Sequence, residues 1–220
     1  MNLKKVFTVS AVTTLVFALV QTGVVLASSN ARFSQSIIDG TQSVDVVSAA
    51  GAPVASPAAS FNNLVFSFDR QTATGTLGAS DQRIRVFNPT VRNTWNVSLA
   101  ATNGATTVWS DGGSQSYDFN DANSNGTDNA ADADAVGGQL TVNPAAATLA
   151  GVNGCATTSV TLNSAGTFQE GTTNSVTLLT GGAGAPRYCR WDLTGVSLNQ
   201  VIPAAQPAGN YAIDFTLTIA

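Results

Sequence analysis

The stretch Asp121-Ala-Asn123-Ser-Asn125-Gly126-Thr127-Asp128-Asn129-Ala-Ala-Asp132 carries the most chemistry in its spacing. Asp121, Asn123 and Asn125 alternate ahead of Gly126, matching the opening of the calcium-loop pattern D-x-[DN]-x-[DN]-G. Calcium takes roughly six to eight oxygen ligands. Alternate Asx side chains curling around a glycine supply several of these, the Thr127 carbonyl another, and Asp128 and Asp132 complete the acidic set. An EF-hand places an apolar residue where Asp128 stands and a glutamate where Asp132 stands, and amphipathic helices do not flank this segment. The pattern therefore predicts a calcium loop inserted in a β-domain; a solvated Asx/Gly-rich loop is the alternative reading. Six carboxylates lie from Asp111 to Asp134 with no arginine between them, so a bound cation relieves their repulsion.

Other reactive side chains are scarce. The chain has no histidine, and Glu170 is its sole glutamate. Neither a Ser-His-Asp nor a Cys-His constellation can form, and nothing singles out an aspartate pair for glycoside hydrolysis. The expectation is a protein that is not an enzyme. Cys155 and Cys189 have no neighbouring cysteine or histidine to complete a zinc site. In an oxidising compartment they pair as a disulfide; two free thiols are the alternative. Trp109, beside Ser110-Asp111-Gly112-Gly113, sits in turn-rich sequence and is the candidate for an exposed ring that stacks on sugars.

An oxidising compartment is implied by the first residues. Met1 to Lys5 form a basic start, an apolar run extends to about Leu26, and small residues follow at Ala27 and Ala31. This is the layout of a secretory signal peptide over 1–31, cleaved near 27 or 31. The run is long enough for an uncleaved anchor, but its hydroxyl and amide side chains make it a poor span. Lys4 and Lys5 are the only lysines, so the cleaved chain carries seven arginines against thirteen carboxylates, a formal charge of −6. Such a surface has little attraction for phosphate backbones, which argues against nucleic acid as a partner.

The elements that must position these groups read as strands. Leu64, Phe66 and Phe68 alternate with Val65 and Ser67; Ile84 and Val86 alternate with Arg83 and Arg85. Further strands are predicted over 43–47, 139–142, 159–162 and 175–179, with Gly, Asn, Pro and Ser clusters between them. Residues 49–60, with Pro53 and Pro57, read as a loop or edge segment. The clearest strand is the last, where Tyr211, Ile213, Phe215, Leu217 and Ile219 alternate with smaller or polar residues. No further anchor is expected after it. The predicted fold is one all-β domain over 32–220, a β-sandwich or partly closed barrel of short antiparallel strands. An acidic insertion over about 111–138 interrupts it.

Two tryptophan motifs lie in this strand-rich sequence, Trp95-Asn96-Val97 and Trp191-Asp192-Leu193, and the chain closes with Pro207-Ala-Gly-Asn-Tyr211 and an alternating strand. In these features it resembles the WxL family of secreted bacterial surface proteins, with Val97 where the first motif has leucine. The resemblance implies noncovalent attachment to the bacterial cell wall or to other surface proteins. A weaker resemblance is to camelysin-like matrix proteins. Trp95 and Trp191 are expected to serve mainly as packing groups, with stacking on sugars as the alternative. The rival expectation for function is a self-assembling subunit of a surface layer or fibre, in which residues 32–38 donate a strand to a neighbour. The plainer reading of that segment is the domain's own first strand.

Overall fold

The computed structural model describes residues 34–121 and 137–220. The chain divides into two units, Met1–Ile38 and Asp39–Ala220. Of the first, residues 34–38 are described and carry no regular structure. The second is all-β. Its strands are, in order, β1 (Ser43–Val47), β2 (Ser60–Phe61), β3 (Gln71–Leu77), β4 (Arg83–Asn88), β5 (Trp95–Ala101), β6 (Val108–Ser110), β7 (Ser116–Asp118) and β8 (Asn120–Asp121). They continue with β9 (Gly138–Asn143), β10 (Thr148–Gly151), β11 (Val160–Leu162), β12 (Gly166–Thr167), β13 (Ser175–Gly181), β14 (Cys189–Thr194), β15 (Val196–Ile202) and β16 (Phe215–Ile219). A single 3-10 turn, Pro144–Ala146, is the only helical element among the described residues.

Three sheets carry the architecture, and every named strand pairing is antiparallel. The first runs β1-β4-β14-β10, the second β11-β13-β5-β16, and the third β12-β9-β15-β3-β2 with β8 on β9; β6 and β7 form a separate hairpin. Alternation explains why these segments pack as sheets. In β5, Trp95, Val97, Leu99 and Ala101 are buried while Asn96, Ser98 and Ala100 face outward, the pattern of a strand with one wet face. One core cluster joins Ile84 and Leu193 of the first sheet to Leu99 and Val176 of the second and Leu140, Val142, Val196 and Leu198 of the third. A second joins Val86 and Trp191 to Trp95, Val97 and Leu179. Burying each such side chain contributes about 1.5–3 kcal/mol, and it is this shared burial that holds the sheets face to face. The result is a β-sandwich, and no sheet closes into a barrel.

Several strands lie where alternation placed them, and three expectations change. Residues 64–68 have a strand-like pattern but no strand; just upstream, Ser60–Phe61 pairs with β3, while Val65 and Phe68 are exposed. The last strand begins at Phe215, and Tyr211 and Ala212 belong instead to an approach segment bridged to Ser110. The first part of the predicted acidic insertion is built structure, the β6-β7 hairpin followed by β8, with residues 117–121 buried. Asp121 pairs with Gly138, so the two ends of the intervening segment are held side by side.

Candidate functional site

The β6-β7 hairpin sets Trp109 directly opposite Tyr117. Cross-strand neighbours on one face lie within side-chain reach, and these two rings stack with centroids 5.8 Å apart and an interplanar angle of 11°. Tyr211 meets Tyr117 edge-on at 5.0 Å, and Phe61 meets Trp109 edge-on at 5.5 Å. Four rings from three separate parts of the chain thus form one aromatic wall.

Buried amides hold that wall in place. Trp109 donates its Nε1–H to Gln200 Oε1 at 3.0 Å. Gln200 is fully buried on β15, and its Nε2 donates to the carbonyls of Asp118 at 3.0 Å and Val201 at 2.8 Å. A buried side-chain amide is tolerated only when its groups are paired, and this one pins the hairpin to the third sheet. Tyr211 donates its hydroxyl to the Pro207 carbonyl at 2.7 Å and accepts from Gln206 Nε2 at 2.9 Å. Burial, and then the nearby Tyr211, push the Tyr117 phenol well above its usual range, so it stays protonated and neutral.

A groove of about 610 Å³ opens on this wall. Phe61, Phe66, Trp109 and Tyr211 give it aromatic surface, with the buried Tyr117 stacked behind Trp109, and Asn62, Asn63, Gln71, Gln206 and Asn210 add amides. None of its lining side chains is charged. A concave site with apolar ring faces and a few convergent hydrogen-bonding groups suits a neutral, hydroxyl-rich ring: carbon-hydrogen faces stack on aromatics while hydroxyls meet amides.

The motif tryptophans do different work. Trp95 and Trp191 are 3 % and 0 % exposed, pack with centroids 5.2 Å apart, and offer no surface to a ligand. Val97 and Leu193 are buried beside them. Between Trp191 and Leu193, Asp192 points to the opposite face of the sheet, where Arg85 Nε and Nη2 donate to its two carboxylate oxygens at 2.6 and 2.8 Å. Arg83 Nη1 adds a contact at 3.4 Å. Burial opposes ionisation of Asp192, but Arg85 and then Arg83 outweigh it and hold the carboxyl below its ordinary range. The turn after β1 lies against this pair: a Cβ on Gly51 would come within 2.5 Å of Arg85 Nη1. Cys155 and Cys189 form a disulfide with Cα atoms 5.7 Å apart.

Trp109, expected in a turn with an exposed ring, lines the groove from a strand and is half-buried. Its partners Phe61, Tyr117 and Gln200 carry no signal in the sequence that marks them as site residues, and Tyr211 reads there as a strand residue closing the Pro207-to-Tyr211 motif rather than as part of a groove. Of the calcium candidates, Asp121 is buried at the end of β8. Asn123, Asn125, Thr127, Asp128 and Asp132 lie outside the described residues. Among the described residues no three acidic, cysteine or histidine side chains gather as a metal site. Comparison of the chain with protein-family models, curated proteins and solved structures finds no match.

Proposed function

We propose that this chain is an exported, non-enzymatic surface protein that holds noncovalently to the glycan of a bacterial cell wall or envelope. The observation that carries the reading is the uncharged aromatic groove at Phe61, Trp109 and Tyr211, backed by the buried Tyr117. The resemblance of the two tryptophan motifs and the closing strand to WxL proteins supports the same ligand class. The disulfide accords with an oxidising, extracellular location. The acidic segment after Asp121 binds calcium in this reading and steadies the domain rather than the ligand.

The test is sedimentation of the purified protein with isolated walls across several salt and calcium concentrations. Binding through an uncharged groove survives raised salt, because screening acts on charges and not on ring stacking. Failure to sediment with walls under every condition overturns the reading.

A further inference from the structure

A second opening lies beside the aromatic groove and shares Phe61, Trp109 and Tyr211 with it, but its chemistry differs. This cleft, of about 490 Å³, is bounded by β1, β2 and β16. Those are edge strands of the first, third and second sheets respectively, so all three sheets end at one place. Its floor is the core itself: Leu99, Leu140 and Leu198 line it and are each less than 5 % exposed. A sandwich normally seals such a seam with a strand.

β16 is the edge prepared for one. Asn96 and Ala220 exchange backbone hydrogen bonds, and Thr102 N–H donates to Asp214 O. By the alternation of an antiparallel ladder, Phe215, Leu217 and Ile219 turn their N–H and C=O groups away from β5, toward the free edge. Their side chains are half-buried and apolar, and the edge carries none of the lysine, proline or bulge devices that blunt exposed strands.

We propose that this cleft accepts a β-strand from a second copy of this chain, supplied by residues 32–38. Ile37 and Ile38 are 90 % and 85 % exposed in the isolated chain, the two most exposed large hydrophobics among the described residues. Those seven residues reach roughly 23 Å when extended, more than the roughly 17 Å of a five-residue strand such as β16. Charge agrees as well: the donor segment carries Arg32 and no acidic residue, while Asp45 and Asp214 stand in the lining of the cleft. The donor's free length begins at a fixed point, because Asp39 accepts from the Tyr188 hydroxyl at 2.8 Å and Gly40 N–H donates to Pro89 O at 3.0 Å. Main-chain pairing along β16 and an apolar side chain plugged into the cleft are the two components of strand addition. Successive strand residues face opposite sides, so Ile38 enters the cleft and Ile37 lies on the outer face with Thr216. A donor at one site and an acceptor at another make the contact heterologous, so repetition gives open chains of subunits.

The test uses two singly substituted preparations, Ile37→Cys and Thr216→Cys, mixed under mild oxidation. Thr216 is an exposed position on β16. Cross-linked dimers that form only in the mixture, and that a synthetic peptide of residues 32–38 suppresses, are the expected result. Light scattering of the unsubstituted chain gives larger species, and Ile37→Asp with Ile38→Asp lowers their fraction roughly tenfold or more, since the apolar anchor in the cleft is lost. Monodisperse monomers at high concentration overturn the proposal. So does a cross-link that forms within one doubly substituted chain at high dilution, which would mean the segment fills its own cleft.

Discussion

Trp95 and Trp191 come from strands in different sheets, β5 and β14, and their rings meet at 5.2 Å with a 38° tilt. Gly181, opposite Trp95 on β13, makes room for this contact: a Cβ there would lie 2.4 Å from Trp95 Cε2. The two motifs are therefore halves of one packing unit that clamps the first sheet to the second.

The two halves are not equivalent. Trp191 donates its Nε1–H to the Ala156 carbonyl at 2.9 Å, whereas Trp95 Nε1 is buried with no acceptor. Replacing Trp191 by phenylalanine breaks a bond; replacing Trp95 removes an unsatisfied donor. Urea denaturation is expected to show Trp191→Phe destabilising more than Trp95→Phe by about 1 kcal/mol. Alanine at either position costs about 3–5 kcal/mol.

Asp192 is held ionised by Arg85 and Arg83, so its folded-state pKa lies below the unfolded value of 3.8. The resulting stabilisation is fully present above that unfolded value and disappears as pH falls through the lowered folded value. Asp192→Asn leaves Arg85 buried without its counter-charge and is expected to cost about 3–5 kcal/mol at neutral pH. The gap between variant and parent narrows on acidification below 3.8, readable from chemical denaturation at a series of pH values.

Wall binding is expected to depend on the groove and not on the motif tryptophans. Trp109→Ala and Asn210→Ala should each weaken wall sedimentation, the first by roughly tenfold or more for the loss of a stacking face. Trp95→Phe should leave sedimentation unchanged at temperatures where it remains folded. Equal losses from both positions would mean that stability, not contact, governs the assay.

Calcium at millimolar concentration is expected to raise the melting temperature, because a ligand bound only by the folded state stabilises it. A gain of about 1 kcal/mol corresponds to roughly 2–4 °C for a chain of this size. Chelator should reverse the shift, and Asn123→Ala with Asn125→Ala should abolish it.

Reducing Cys155–Cys189 opens a loop with a sequence separation of 34. The chain-entropy model assigns such a loop about 3–4 kcal/mol. Denaturation with and without reductant measures it directly, and wall sedimentation of the reduced, still folded protein should be unaltered.

Alternation made β5 legible, because one buried face leaves a period of two in the residues themselves; β4 shows the same apolar alternation although Arg85, between Ile84 and Val86, is buried too, paired with Asp192. The same rule misread residues 64–68, since a pattern of side chains says nothing about whether a neighbouring edge exists to pair with. β15 escaped notice because Asn199 and Gln200 interrupt its apolar run; Gln200 is buried only because Trp109 and the Asp118 carbonyl meet it in space. The groove was invisible for a related reason. Phe61, Trp109, Tyr117, Gln200 and Tyr211 share no spacing in sequence, and the fold alone brings them together.

The pairing of Asp121 with Gly138 has a practical consequence. With entry and exit already clasped by the ladder, residues added to the intervening stretch need not re-register β8 or β9. Doubling its length costs only about 0.6 kcal/mol of closure entropy. That junction is the natural port for grafting a foreign epitope or reporter onto the domain.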